Sequence, residues 1–150
     1  MKILSLICFF AVFVSVYADS YFVFCAKYIT YYIMCGNDAA TSLNRDDLKN
    51  ALKDKPFNAK QLEGYLFCLN KHIGVQNEQG DYVPEQLKEF FKHVVVNQDN
   101  LEKIVHSCST RPIGSSAKDA ALSLLNCAKK LDTLNFPFLN STLQTDISSI

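Results

Sequence analysis

The residues best suited to chemistry in this sequence are three histidines, six cysteines and a scatter of carboxylates. His72, His93 and His106 are separated by 20 and 12 intervening residues. No pair has the HxxxH or HExxH spacing that turns two imidazoles of one helix toward a single metal ion. GxSxG, a glycine-rich phosphate loop and CxxC are all missing, which removes the usual routes to acyl transfer, phosphate chemistry and thiol exchange. Asp46-Asp47 is a carboxylate pair, but it opens a helix, where the macrodipole favours negative charge without catalysis. A histidine changes charge roughly between pH 5 and 8, yet nothing in the sequence selects one as a switch. The expectation is no enzyme, no metal and no cofactor.

The cysteines say more. Cys8 lies in Met1–Ala18, MKILSLICFFAVFVSVYA, a lysine followed by an apolar run and small residues at Val16 and Ala18. That is the pattern of a secretory signal peptide. Cleavage after residue 18 leaves 132 of the 150 residues and five cysteines, at 25, 35, 68, 108 and 127. Secretion makes disulfides expected, and an odd number leaves at least one cysteine unpaired or bonded to another molecule. A rival reading joins residues 3–35 into one membrane span, but Asp19, Ser20 and Lys27 interrupt it. Fifteen basic against fifteen acidic residues, with no basic run, exclude a nucleic-acid binder or a polybasic membrane docker.

Six helical patterns must position these residues. Tyr21–Cys35 puts Phe24, Tyr28, Tyr31, Tyr32 and Cys35 on one face, although its β-branched and aromatic content also suits a strand. Asn44 and Asp47 start a segment with Leu48, Ala51 and Leu52. Asn58 and Gln61 start another with Leu62, Leu66, Leu69 and Ile73, closed by Gly74. Gln79-Gly80-Asp81 is a turn, and Pro84 opens a helix carrying Leu87, Phe90, Phe91, Val94 and Val95. Asp99 with Glu102 starts the helix of Leu101, Ile104, Val105 and Cys108. Ser116 with Asp119 starts the last, with Ala121, Leu124, Leu125, Ala128 and Leu131 facing inward. The reading is one all-α domain over residues 19–150, with 133–150 as a tail. Asn135–Leu139 is apolar but cannot be regular helix across Pro137, so it covers a core opening or hangs loose. Asn140-Ser141-Thr142 is a sequon, making Asn140 a candidate glycosylation site.

With cysteines placed on these helices, the chain resembles the insect pheromone- and general-odorant-binding (PBP/GOBP) family, over roughly Tyr21 to Leu131. That family has six helices and six cysteines, the second and third four residues apart on the third helix. Here Gly64-Tyr65-Leu66-Phe67-Cys68 fills that stretch, with the expected glycines at 74 and 80. The resemblance puts Cys35, Cys68, Cys108 and Cys127 in the first, third, fourth and sixth family positions. Gly64 and Lys118 stand where the second and fifth cysteines would be, as in the "minus-C" subgroup that lacks that bridge. It implies disulfides Cys35–Cys68 and Cys108–Cys127, and a looser contact between the third and sixth helices. A register using Cys25 first would free Cys35; the 28 residues between Cys35 and Gly64 favour Cys35. Cys25 is then a buried helix residue or the site of an intermolecular disulfide.

The resemblance further implies a compact six-helix fold around an apolar cavity, acting as a secreted, extracellular carrier of small apolar ligands. Its candidate lining residues are Tyr28, Tyr32, Asn70, Ile73, Val75, Phe90, Phe91, Val94, Leu124, Phe136 and Phe138, with Asn70 able to orient a ligand oxygen. For any one of them, filling the core is the competing role. A membrane receptor and a homodimer are the further partners left open; nucleic acid and membrane insertion are not expected. The alternative on the same fold is a salivary, venom or seminal scavenger, or a protein that binds a protein partner. A small secreted hydrolase shares only secretion with this chain.

Overall fold

The computed structural model describes residues 21–43 and 45–136. Its helices are α1 (residues 21–37), α2 (Arg45–Leu52), α3 (Ala59–Ile73), α4 (Pro84–Val94), α5 (Leu101–Cys108) and α6 (Ala117–Leu131), with a 3₁₀ turn at Gln98–Asn100 before α5. The aromatic first segment is therefore helix. Among the described residues there is no strand, only the isolated bridges Gln76–Tyr82 and Val95–Leu134. None of the described helices is long and apolar enough to cross a membrane.

Local chemistry sets most boundaries. The Asn58 side chain accepts a hydrogen bond from the Gln61 N–H at 3.2 Å and so caps α3. Gly74, at φ 82°, ends that helix in the left-handed conformation that suits glycine. Pro84 occupies the first turn of α4, where its missing N–H has no cost. At α6 the Ser116 hydroxyl accepts from the Asp119 N–H, and the Asp119 carboxylate accepts from the Ser116 N–H, each at 3.1 Å. The start of α5 differs from the Asp99 cap expected. Asn97 lies two residues earlier, and its side chain accepts from the Asp99 N–H at 3.0 Å. Gln98 then donates back to the Lys92 and Val95 carbonyls, so a 3₁₀ turn precedes the helix. The expected Asn44 cap lies outside the described residues. Its intended partner Asp47 accepts from the Asn58 N–H at 3.2 Å, tying α2 to the start of α3.

The inward stripes meet in one core, which includes Leu48, Leu62, Leu69, Leu87, Ile104 and Leu124. Cys35–Cys68 binds α1 to α3 and Cys108–Cys127 binds α5 to α6, with Cα–Cα distances of 5.9 and 5.8 Å. These are the pairings that the resemblance implied. Cys25 is free and half-buried. Among helices α2 to α6, the contact of α3 with α6 is the most extensive. Ala120, Ala121 and Ala128 on α6 are buried, and side chains that small permit close helix packing. Gly64 is not pressed on α6: a Cβ there would meet only the Ala40 carbonyl oxygen, at 3.9 Å.

After α6 the chain returns along the end of α4. The Asn135 N–H donates to the Val94 carbonyl at 2.7 Å, and the Val96 N–H to that of Thr133 at 3.2 Å. This pairing lays Phe136 over the core, 6.2 and 6.3 Å from the rings of Tyr28 and Phe90. Of the two readings of the tail, Phe136 follows the covering one. Phe138, Leu139 and Asn140 lie outside the described residues.

Candidate ligand-binding cleft

Two helical stripes face each other across a partly open cleft of about 270 Å³. From α1 come Phe24, Tyr28 and Tyr31, spaced four and three residues apart, with Val23 and Lys27 beside them. From α4 come Gln86, Glu89, Phe90 and His93, again one helical face. His72 and Ile73, at the end of α3, close one side. Phe90 belongs both to this face and to the core stripe of Leu87, Phe91 and Val94, so it forms the floor between cleft and interior.

Ring stacking fixes the two walls. Tyr28 stacks on Phe90 at 5.6 Å, Phe24 on His93 at 4.2 Å and Tyr31 on His72 at 5.3 Å. Such pairs add to area burial and hold their rings in defined orientations. His93 Nε2 also lies 3.2 Å from Glu89 Oε1. The result is an aromatic floor beneath a rim of Lys27, His72, Gln86, Glu89 and His93. That arrangement suits an apolar body with a polar end.

Of the residues singled out from the sequence, Tyr28, Ile73 and Phe90 line this cleft. Val75, Phe91, Val94 and Leu124 are packed in the core, each at most 4% exposed. Phe136 sits behind the cleft on Tyr28 and Phe90, and Tyr32 meets Tyr65 edge-on at 5.8 Å. Asn70 is not at the rim. Its buried amide donates to Gln76 Oε1 at 2.8 Å, and Gln76 Nε2 donates to the carbonyls of Gly80 and Ala117. It clamps the turn after α3 against α6. Phe138 lies outside the described residues.

The polar half of the lining has no distinct signature in the sequence. Gln86, Glu89 and His93 flank Phe90 on one face of α4, a pattern that reads equally well as a solvated surface. Cys35, Cys68 and His72 bring three possible ligand atoms within 4.8 Å of one another. The two sulfurs are bonded to each other, however, and the imidazole stacks on Tyr31, so the group does not offer a thiolate site.

Two buried phenols and one half-buried one make stability depend on alkaline pH. Burial first, then the neighbouring phenols, push Tyr28 and Tyr65 well above the ordinary tyrosine range. Burial raises Tyr82 to about 12, against the opposing charge of Arg111, and its hydroxyl donates to the Ala120 carbonyl at 2.6 Å. Each holds its proton more tightly folded than unfolded, where a phenol titrates near ~10. Stability is therefore complete below about pH 10 and falls as the pH rises toward 12 and beyond, because the unfolded chain releases these protons first. Melting temperatures should drop steeply above ~pH 10; a flat profile to that side would contradict the burial of these hydroxyls.

The sequence profile of the PBP/GOBP family matches residues 30–131, running from the middle of α1 to the last residue of α6. The chain belongs to the PBP/GOBP family. No curated protein matches it. Members of this family are small binding proteins for odorants and pheromones, and the matched stretch holds both disulfides of this PBP/GOBP chain. It also holds the α3 and α4 walls of the cleft, whereas Val23, Phe24, Lys27, Tyr28 and Phe136 lie outside it.

Proposed function

We propose that this protein is a secreted carrier which holds a small hydrophobic molecule, such as an odorant, a pheromone or a similar lipid, between α1 and α4. The observation that carries the reading is the aromatic cleft of about 270 Å³, walled by Phe24, Tyr28 and Phe90 under a polar rim. Binding draws on removal of apolar area from water, ~25 cal/mol per Å², with one or two polar groups setting preference. The ligand leaves unchanged. Met1–Ala18 acts as the signal peptide and is removed before Asp19. The mature chain is of the minus-C type, with Gly64 and Lys118 at the two vacated cysteine positions and Cys25 outside the framework. Asn140 carries a glycan when the sequon is used.

Displacement of a fluorescent naphthylamine probe from the oxidised protein, across a panel of apolar alcohols, esters, ketones and hydrocarbons, tests this reading. Saturable uptake and competition by several members of the panel are expected. No uptake of the probe and no ligand bound from any class would overturn the carrier role.

A further inference from the structure

The first helix is apolar on two sides. Phe24, Tyr28, Tyr31 and Cys35 turn toward the cleft and the core, whereas Phe22, Ile29, Ile33 and Met34 are 72%, 37%, 40% and 43% exposed. A helix that is hydrophobic all round calls for cover on every side. Phe22, Ala26, Ile29 and Ile33 follow one another at spacings of four, three and four residues, the repeat of a helix–helix seam. Ala26 is exposed with the other three. At about 100° per residue this seam lies roughly opposite Phe24, Tyr28 and Tyr31, so a cover over it leaves the cleft open. Groups that seek water are kept off it. Lys27 is the single charged residue of α1 and lies to the cleft side. The Thr30 hydroxyl, at the edge of the seam, already donates to the Ala26 carbonyl at 2.9 Å.

We propose that a second copy of this chain covers the seam, α1 against α1 and antiparallel. This goes beyond the carrier reading and does not depend on it. In that register Phe22 meets the partner's Ile33, and Ala26 meets the partner's Ile29. The bulky layers then lie at the two ends and the layers with alanine in the middle, where the helices approach most closely. Parallel pairing would set Phe22 on the partner's Phe22 and Ala26 on the partner's Ala26, a crowded layer beside a void. It would also align the two helix dipoles, which antiparallel pairing opposes. The exposed parts of Phe22, Ala26, Ile29, Thr30, Ile33 and Met34 amount to roughly 500 Å² on each copy and about 1,000 Å² in the pair, the least that a specific interface needs. An area of that size makes a reversible dimer rather than a permanent one. A bilayer surface fits less well. An interfacial helix carries a basic polar face, and the face behind this seam is the protein core.

Sedimentation equilibrium of the oxidised mature chain tests this, with Cys25→Ser as the parent so that no intermolecular disulfide contributes. The mean mass of the parent should rise toward twice the monomer's as its concentration climbs through the micromolar range. Phe22→Glu and Ile33→Lys, each alone, place an unpaired charge in the seam and should weaken the dimer at least about tenfold. Both positions are exposed, so each variant should melt and bind the fluorescent probe as the parent does. An equimolar mixture of the two variants should recover the dimer, because antiparallel pairing sets the new carboxylate against the new ammonium and parallel pairing does not. A parent that stays monomeric, whether or not it binds phosphatidylcholine vesicles, overturns the pairing. Single variants that dimerise like the parent, or a mixture no more dimeric than its components, overturn it as well. Each of these results leaves the carrier role intact, since probe binding is read separately on the same samples.

Discussion

Removing both disulfides unfolds the protein at 37 °C. Cys35–Cys68 and Cys108–Cys127 close stretches of 33 and 19 residues, and the loss of each costs about 3–4 kcal/mol in the chain-entropy description. Together that rivals the ~5–15 kcal/mol which holds an ordinary domain. The two bonds are not equivalent in consequence. Cys35–Cys68 is the larger closure and the covalent hold on α1, which supplies one wall of the cleft. Cys35→Ser with Cys68→Ser should lower the melting temperature by roughly 10 °C or more and weaken probe binding. Cys108→Ser with Cys127→Ser should destabilise by a little less and, under native conditions, leave the cleft filled. Circular-dichroism melts of the two double variants, alongside the fully reduced wild type, check this. A reduced chain that still melts cooperatively near the oxidised temperature would contradict it.

Gly80→Ala is the single substitution with the largest expected effect. Gly80 lies at φ 87°, and a Cβ there would fall 2.4 Å from the Ala117 Cβ and 2.5 Å from its Cα. One of those atoms is backbone, so no rotamer relieves the overlap and the turn must move away from α6. Moving it breaks the Gln76 donation to the Gly80 carbonyl at 2.9 Å and strains that to Ala117 at 3.3 Å. Gln76 is buried, and an unpaired buried amide costs about 1–3 kcal/mol. Left-handed strain adds about 1–2 kcal/mol, for a combined loss of about 3 kcal/mol or more. Gly114→Ala is the control: its φ is 75° but nothing lies within 4 Å, so only the backbone strain of about 1 kcal/mol applies. Urea denaturation of both variants decides the matter; equal losses would mean that the Gly80–Ala117 approach is not what holds this turn.

The same turn shows how far the sequence could be read. Gly80 was visible as a turn residue, and Asn58, Gly74, Pro84 and Ser116 marked helix ends, because each acts through groups three or four residues away. Asp99 misled, since Asn97, two residues nearer α4, captured its N–H first. Asn70 lay at a helix end where a rim position looked equally open. Its partner, Gln76, lies beyond Gly74, and Gln76 is held in turn by the Gly80 and Ala117 carbonyls, the latter 41 residues away on α6. Periodicity correctly turned Phe91, Val94 and Leu124 inward, but it does not say whether an inward side chain meets a filled core or a gap. The gap depends on where α1 crosses α4. Its polar rim of Gln86, Glu89 and His93 has the composition of a solvated face, and only the approach of α1 makes it a wall.

Amide-shift mapping of the ¹⁵N-labelled, oxidised mature chain during titration with a member of the apolar panel that displaces the probe reads the location of the ligand directly. The account predicts saturable shifts confined to α1 and α4 around Phe24, Tyr28, Phe90 and His93, with the end of α3 at Ile73. Shifts gathered instead in the groove of Ser107, Asn126 and Lys130 on α5 and α6, or no shifts at all, would contradict it.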